Sequence, residues 1–276
     1  MDMPVTLLPA MPAYRKVAVW GRRDGQPLHG LADVAEEVPV ALVFNGISHA
    51  VMMATPVDLE DFACGFALTE GIIDTPAQIH DYDCVFSAQG CTVQLTIAAS
   101  CFARLKDKRR NLAGRTGCGL CGTESLAHAV RPLEPLPAVM PGFAASALRR
   151  AESGLRSRQW LLALTGATHA AAWCQADGQM VLMREDVGRH NALDKLIGAL
   201  LRSQVDASRG FALITSRASF EMVQKTAAAG IGLLAAVSGV TGMAVDVAQR
   251  SGLTLAGFTR GGDVALYSHP ERLELD

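Results

Sequence analysis

Two cysteines framed by glycine are the residues best suited to do chemistry in this sequence. Cys118 and Cys121 lie in the stretch GRTGCGLCG, where four glycines surround them. Because glycine permits tight turns and adds no side-chain cover, we predict that both thiols are exposed on a movable loop. Arg115 and a helix capped by Thr123 would both favour the thiolate. Such a thiolate can attack the outer sulfur of a persulfide, hold that sulfur and pass it to an acceptor.

Other chemistries compete for the same pair. A structural zinc site needs four ligands, and this sequence has a single Cys-x-x-Cys. A dithiol oxidoreductase usually opens a helix with its Cys-x-x-Cys directly after a strand, whereas a basic, glycine-rich segment precedes Cys118. A zinc deaminase needs His-x-Glu upstream of Pro-Cys-x-x-Cys, and neither element is present before Cys121. We expect no protein-bound metal and expect the remaining cysteines to be isolated core residues. These are Cys64, Cys84, Cys91, Cys101 and Cys174.

A second group of candidate residues falls at predicted strand ends in the C-terminal half. Arg189, Arg217 and Arg260 each follow a predicted strand, and Gly261 and Gly262 would let a bulky ligand approach the backbone. Ligands of open α/β sheets bind beyond the carboxyl ends of strands, where helix N-termini present free N–H groups to anions. Arginine suits bidentate recognition of phosphate. We therefore predict a site for a phosphate-bearing ligand.

The role of His190 stays open among a general acid or base, a ligand contact and a buried core histidine. Glu185 and Asp186 precede it in the segment REDVGRHN. For both acids we expect a structural role, as caps of the helix that follows.

The fold that must position these residues is predicted to be α/β. Hairpin signals occur at Asn45-Gly46, Gln89-Gly90 and Asp177-Gly178, and strands and helices alternate in the second half. A helix capped by Asp58 and a long helical pattern after a proline-rich linker (131–142) complete the prediction. We divide the chain into residues 1–130, a smaller β-rich part that carries the cysteine loop, and residues 131–276, a layered sheet with helices.

Composition narrows the classes of function. The chain has 276 residues, a net charge of −2 and 50% apolar residues, which is typical of a soluble globular protein and not of a general nucleic-acid binder. Seven cysteines cannot all pair, and the N-terminus has no secretory pattern, so we expect a cytoplasmic protein. The uncharged stretch 226–245 is interrupted by glycines, which favours a buried strand over a membrane span.

Six blocks of the sequence together resemble the formate dehydrogenase accessory sulfurtransferase family, from about residue 15 to residue 273. The blocks are HAVMMATPVDLEDFACGF, GRTGCGLCGTESL, TGATHAAA, REDVGRHNALDKLIG, SRASFEMVQKTAAAGI and GFTRGGDVALYSHPERL. The resemblance implies a deaminase-like fold in the second half, a homodimer and a sulfurtransferase activity.

The resemblance also implies roles for particular residues. Cys118 would take persulfide sulfur from a cysteine desulfurase, with Cys121 assisting. The sulfur would go to the molybdenum or tungsten bis-pterin guanine dinucleotide cofactor before its insertion into formate dehydrogenase, in a pocket that also accepts a GDP-like guanine nucleotide. Its binding segment would be Phe258, Thr259, Arg260, Gly261, Gly262 and Asp263. Many relatives carry a basic residue where this chain has Asp263, which weakens a phosphate role there.

One hypothesis of a different class remains. A non-catalytic chaperone would bind and protect the pterin cofactor during maturation of formate dehydrogenase, and its cysteines would matter little. Persulfide formation on Cys118 distinguishes the two hypotheses.

Overall fold

The computed structural model describes residues 10–112, 133–137 and 142–275. The cysteine loop with Cys118 and Cys121, the predicted domain boundary at residue 130 and most of the predicted linker lie outside these ranges. No helix within them is long and apolar enough to span a membrane.

The N-terminal half consists of a separate hairpin and a four-stranded sheet with two helices. In the sheet the strand order is β4-β3-β6-β5, and β3 and β6 are parallel while the outer pairs are antiparallel. The elements are β1 (Tyr14–Arg23), β2 (Gln26–Ala35), β3 (Val38–Phe44), β4 (Ile47–Ala54), α1 (Leu59–Thr69), a 3-10 turn (Pro76–Gln78), β5 (Ile79–Ser87), β6 (Gly90–Ile97) and α2 (Ala99–Leu112).

The C-terminal half is built on a six-stranded sheet. Its elements are β7 (Phe143–Ala144), α3 (Ala145–Arg158), α4 (Trp160–Thr165), β8 (His169–Gln175), β9 (Met180–Asp186), α5 (Arg189–Arg202), a 3-10 turn (Ala207–Arg209), β10 (Gly210–Ile214), α6 (Phe220–Ala228), β11 (Leu233–Ala236), α7 (Gly242–Ser251), β12 (Thr254–Gly257), β13 (Ala265–Ser268), a 3-10 turn (Pro270–Arg272) and β14 (Leu273–Glu274). The strand order is β13-β12-β11-β10-β8-β9.

The strand directions bring four strand ends to one edge of this sheet. Strands β10, β11 and β12 are parallel, and β8 is antiparallel to both β9 and β10. Strand β9 therefore runs in the same direction as β10. We call the side at which β9, β10, β11 and β12 end the carboxyl edge.

Alternating side chains bury both faces of the six-stranded sheet, as a two-residue period requires. On one face Ala212, Ile214 and Leu234 join the large core with helices α5, α6 and α7. On the other face Phe211 and Leu213 pack against α3 in a smaller core. The large core also contains α1 and the inner face of the four-stranded sheet, so both halves of the chain share it.

Helices α1 and α5 cross in backbone contact. A Cβ atom at Gly65 would lie 1.8 Å from the carbonyl oxygen of Asp194, and a Cβ at Gly198 would lie 1.8 Å from that of Asp61. Only glycine permits this approach at either position. The crossing joins the N-terminal half to the helix that begins at the carboxyl edge.

A set of paired ionised side chains, buried except at Arg184 and Arg202, surrounds this crossing, and we call it the interior polar cluster. Lys195 Nζ lies 2.7 Å from Asp186 Oδ2, and both side chains are fully buried. Lys225 Nζ lies 2.9 Å from Asp194 Oδ2, and Asp61 pairs with Arg184 and Arg202. The cluster comprises Asp61, Arg184, Asp186, Asp194, Lys195, Arg202 and Lys225.

The predicted α/β fold class is confirmed, with several local differences. The hairpins at Asn45-Gly46 and Asp177-Gly178 form as predicted, with φ of 45° at Asn45, 80° at Gly46 and 82° at Gly178. The uncharged stretch contains the buried strand β11, as predicted. The long helical pattern is broken at Gln159 into α3 and α4.

The hairpin of β5 and β6 forms, but its predicted turn is one residue late. Ser87 pairs with Gly90, so the turn residues are Ala88 and Gln89. Gly90 already belongs to β6, where a Cβ would lie 2.2 Å from the carbonyl oxygen of Pro39 in β3. The close approach of β3 therefore sets this register.

The predicted capping of α1 by the side chain of Asp58 is wrong. Asp58 occupies the N-cap position in a left-handed backbone conformation (φ 53°), and its side chain makes no capping hydrogen bond. Its carboxylate lies 3.6 Å from Arg184 instead. The hairpin of β1 and β2, which turns at Asp24-Gly25, was not anticipated.

Candidate ligand site at the carboxyl edge

Backbone hydrogen bonds connect the loops that follow β10, β11 and β12. The N–H of Ala218 donates to the carbonyl of Gly239, and the N–H of Thr241 donates back to the carbonyl of Ala218, both at 3.1 Å. The N–H of Phe258 donates to the carbonyl of Ser238 at 3.0 Å. Residues far apart in sequence are thus held on one continuous surface.

The buried carboxylate of Asp186 holds the start of α5 in place. This carboxylate accepts hydrogen bonds from the N–H groups of Gly188 (2.7 Å) and Thr55 (3.0 Å) and from the amide of Asn191 (3.1 Å). Lys195 neutralises it and also donates to the carbonyl of Thr55 at 2.9 Å. A fully buried carboxylate needs such partners, and here they orient the first turn of α5 toward the edge.

Arg189 and His190 form that first turn, as the sequence predicted. His190 Nε2 lies 2.8 Å from Glu221 Oε2 in the first turn of α6, which ties the starts of α5 and α6 together. The close contact with His190 holds the pKa of Glu221 below its usual value. Burial, together with nearby Arg189, lowers the pKa of His169 at the start of β8. The edge therefore disfavours further positive charge at His169.

Helices α6 and α7 both begin at this edge and offer free N–H groups. At the start of α7, Thr241 accepts a hydrogen bond from the N–H of Ala244 at 3.3 Å. At the start of α6, the N-cap Ser219 makes no side-chain cap, and its buried hydroxyl has no hydrogen-bond partner among the described residues. The partial positive charge of a helix N-terminus favours an anion at such a position.

The loop after β12 combines an exposed aromatic ring with a tight turn. Phe258 has a left-handed backbone (φ 54°), and 53% of its surface is exposed. A Cβ at Gly239 would lie 3.1 Å from the Phe258 ring, so glycine there leaves room for it. The turn Arg260–Asp263 places glycines at its centre with φ of 65° and 95°, and Arg260 is exposed. Non-glycine residues held in a left-handed backbone conformation cluster at ligand-binding and active sites.

Thr259 and Asp263 line a small cavity beside α3. Thr259 is buried, and its Oγ1 has no partner within the part of the chain described. Both residues, with Gly262, line a small cavity of about 10 Å³ next to Arg149 of α3. A cavity of this size holds about one water molecule. Asp263 itself is exposed.

The structure thus places all the described site residues predicted from sequence on one edge. These are Arg189, His190, Arg217, Phe258, Thr259, Arg260, Gly261, Gly262 and Asp263. Arg217 and Arg260 are exposed, while Arg189 and His190 are partly buried. The arrangement of cations, helix N-termini and an aromatic ring suits an anionic ligand with a flat ring system. Cys118 and Cys121 lie outside the described residues.

The predicted capping roles of Glu185 and Asp186 need correction. Glu185 accepts from the N–H groups of Leu161 (3.0 Å) and Leu162 (2.9 Å), so it caps α4 and not the helix that follows it. Asp186 does bond Gly188 at the start of α5, but it is chiefly the buried partner of Lys195. Neither pairing could be read from spacing, because the partners come from other elements.

Three further residues at the edge escaped the sequence analysis. His169, Ser219 and Glu221 each contact or neighbour a predicted site residue. Ser219 and Glu221 lie in the segment TSRASFE, directly after Arg217, so the helix start predicted there was the available signal. The signal for His169 was the predicted hairpin at Asp177-Gly178, whose register sets His169 opposite Asp186.

Comparison with known proteins places these observations in a family. The model of the FdhD/NarQ family matches residues 35–274. A protein of Variovorax paradoxus named sulfur carrier protein FdhD is 60% identical over 240 residues, which cover 87% of this chain and 86% of that protein. A protein of the same name from Cupriavidus necator is 55% identical over 263 residues, covering 95% and 91%.

A solved structure shares the fold. The crystal structure of a putative formate dehydrogenase accessory protein from Desulfotalea psychrophila superposes with a TM-score of 0.74. The match covers 95% of this chain and 100% of that one, at 23% sequence identity.

Proposed function

The chain belongs to the FdhD/NarQ family, and from this premise we propose that it is a sulfur carrier for the maturation of formate dehydrogenase. The names of its relatives support the sulfur-carrier role. The observation that carries the proposal in this molecule is the carboxyl edge. There, exposed arginines, two helix starts and a projecting phenylalanine form one surface. The sequence of the same chain also contains a glycine-framed cysteine pair.

The proposed chemistry is a persulfide relay on Cys118. The Cys118 thiolate attacks the outer sulfur of a persulfide on a cysteine desulfurase, and the donor cysteine leaves as a thiolate. Cys118 then carries the sulfane sulfur to its acceptor and returns to the thiol form, with Cys121 assisting. This makes the protein a sulfurtransferase with a covalent intermediate.

The proposed acceptor is the molybdenum or tungsten bis-pterin guanine dinucleotide cofactor, bound at the carboxyl edge as a client. Arg217 and Arg260 would contact its pyrophosphates, and the starts of α6 and α7 would add N–H donors. The Phe258 ring would stack on a guanine base, as aromatic side chains do with flat ring systems. GDP would bind the same surface because it carries the same guanine and diphosphate groups.

Three further statements belong to this proposal. The partners are a cysteine desulfurase and the formate dehydrogenase apoenzyme, the protein acts in the cytoplasm, and it works as a homodimer. Sedimentation of the pure protein tests the last of these.

The decisive experiment follows labelled sulfur. The protein is incubated with a cysteine desulfurase and ³⁵S-cysteine, and the labelled peptide is identified by mass spectrometry. We expect one added sulfur on Cys118, none in Cys118→Ala, and unchanged labelling in Cys174→Ala, which removes a buried core thiol. Absence of label on Cys118 would instead support the non-catalytic chaperone.

A matching test in cells measures the client. A strain that lacks the native protein receives Cys118→Ala, and formate dehydrogenase activity is assayed. Full activity would show that the persulfide role of Cys118 is wrong.

A further inference from the structure

Two cysteines outside the glycine-rich loop are in direct contact. Cys84 in β5 and Cys91 in β6 have their sulfur atoms 3.6 Å apart. The register sets Cys84 opposite Val93 and Phe86 opposite Cys91, so the two cysteines are diagonal neighbours on the same face of the sheet. Cys91 is a core residue as expected, and Cys84 packs against that core, but the two cysteines are not isolated from each other.

The contact shifts the pKa values of the two thiols in opposite directions. The hydrogen bond with Cys84 lowers the pKa of the Cys91 thiol, and the same contact, with burial, raises the pKa of Cys84. Either sulfur can donate in this contact, and the lowered pKa of Cys91 favours the thiolate there over Cys84. A thiolate held against a second thiol is the arrangement from which disulfides form.

The other described thiols lack this arrangement. Burial raises the pKa of Cys64 and of Cys174 to about 12 in each case, as expected for inert core cysteines. Cys101 is fully buried, and its sulfur accepts only a long contact from Arg104 at 3.7 Å.

Cys84 is also the more accessible member of the pair. It is partly exposed, whereas only 3% of Cys91 is exposed. Strand β5 is at the edge of its sheet, and a groove of about 760 Å³ is lined by its residues Ile79 and Tyr82. Tyr82 is two residues from Cys84 and so lies on the same face of the strand. Cys84 does not itself line the groove, so access of a small molecule to it depends on its own partial exposure.

We propose that Cys84 and Cys91 form a second sulfur-reactive site, which takes sulfane sulfur from a small inorganic polysulfide and closes to a reversible disulfide. The site is independent of Cys118, because both of its thiols come from the hairpin of β5 and β6.

The reaction proceeds in two balanced steps. Cys84 gives its proton to Cys91 across their contact and attacks one sulfur of disulfane (HSSH). The hydrosulfide that leaves takes the proton from Cys91 and departs as hydrogen sulfide, so that Cys84 carries a persulfide and Cys91 is again a thiolate. The Cys91 thiolate then attacks the inner sulfur of that persulfide, forming the Cys84–Cys91 disulfide and expelling hydrosulfide. The two cysteine sulfurs lose two electrons in total, and the two disulfane sulfurs gain them.

The geometry requires only a local movement. A disulfide needs its sulfurs about 2.05 Å apart, so the pair must close by about 1.5 Å. Strand β5 is paired on one side alone and already shifts register between Ile79 and Asp81, so it can move toward β6. Reduction by a thiol restores the open pair.

The test uses the full chain carrying Cys118→Ser and Cys121→Ser, which leaves five of the seven cysteines. The folded protein is treated with inorganic polysulfide, unfolded and alkylated, and its peptides are analysed without reduction. We expect alkylation to fall from five thiols to three, with a peptide that links Cys84 to Cys91. Dithiothreitol should restore all five.

Single substitutions in this background separate the two roles. With Cys91→Ser, Cys84 should retain one added sulfur, because no resolving thiol remains. With Cys84→Ser, the buried Cys91 should stay unmodified. The control variant Cys101→Ala should form the disulfide between Cys84 and Cys91 as before. Five alkylated thiols without added sulfur, a persulfide that persists on Cys84 beside an intact Cys91, or indiscriminate links to other cysteines would overturn the proposal. Because Cys118 is absent, none of these outcomes bears on the relay proposed for it.

Discussion

The interior polar cluster and the carboxyl edge are both rich in charged side chains, but those side chains are paired in the cluster and exposed at the edge. In the cluster each charged side chain is matched at close range, as with Lys195 and Asp186 at 2.7 Å in full burial. At the edge, Arg217 and Arg260 are exposed, and the hydroxyls of Ser219 and Thr259 have no partner among the described residues. The cluster is complete without a ligand, while the edge offers groups for one to satisfy.

The difference separates structural from functional charge within one helix. Helix α5 begins at the edge with Arg189 and continues into the cluster with Asp194 and Lys195. The buried end fixes the helix against α1, and that attachment holds its exposed first turn in place. The role of a polar residue in this molecule, structural or ligand-binding, therefore follows from its contacts and not from its residue type.

The largest expected effect comes from breaking the cluster. Lys195→Met leaves the buried Asp186 carboxylate without its cation, and we expect a loss of about 3–5 kcal/mol in the free energy of unfolding. Urea unfolding measures it. Arg217→Ala at the edge provides the contrast and should change stability by no more than about 0.5 kcal/mol. Equal losses in both variants would contradict the distinction between the two regions.

The next effect tests the helix crossing inside the cluster. Gly65→Ala would place a Cβ 1.8 Å from the backbone oxygen of Asp194, so α1 and α5 must separate. We expect a destabilisation of about 1–3 kcal/mol, as for an overpacked core. Gly154→Ala in α3 meets no atom within 4 Å and should be neutral or stabilising by about 0.5–1 kcal/mol. If both glycines tolerate alanine alike, the crossing does not depend on backbone contact.

At the edge the expected loss is in affinity and not in stability. Arg260→Ala removes an exposed guanidinium, and hydrogen bonds to charged groups contribute about 1.5–3 kcal/mol, so GDP should bind about tenfold more weakly or worse. Persulfide formation on Cys118 should be unaffected. Arg250→Ala, at the opposite end of α7, is the matched control for calorimetry with GDP. Unchanged affinity in Arg260→Ala would remove Arg260 from the site.

The smallest effect is electrostatic. Burial and Arg189 hold the pKa of His169 below its usual value. We expect Arg189→Gln to raise this pKa, measured from the ring proton shifts in an NMR titration. The sign for stability follows: the unfolded chain binds this proton at a higher pH than the folded one, so His169 lowers stability as the pH falls below about 6.5. If Arg189→Gln leaves the pKa of His169 unchanged, the charge of Arg189 does not lower that pKa.

Sequence patterns were reliable where a few neighbouring residues decide the backbone. The turn at Asn45-Gly46 was correct, because both residues adopt positive φ, and the strand ends that carry Arg217 and Arg260 were placed correctly. The hairpin of β5 and β6 shows the limit. Its turn is one residue earlier than predicted, because Gly90 already lies in β6 against the neighbouring strand β3, and in this register Cys84 contacts Cys91.

The sequence by itself determined the α/β class, the alternation of strands and helices in the C-terminal half and the strand ends that carry Arg217 and Arg260, because turn preferences and side-chain periodicity are short-range properties. Only the tertiary structure decided which charges are buried and which are exposed. Lys195 lies in a helix like many solvent-facing lysines, but its partner oxygen at Thr55 is 140 residues away. Burial depends on contacts between distant segments, and those contacts made one end of α5 a support and the other end a candidate binding surface.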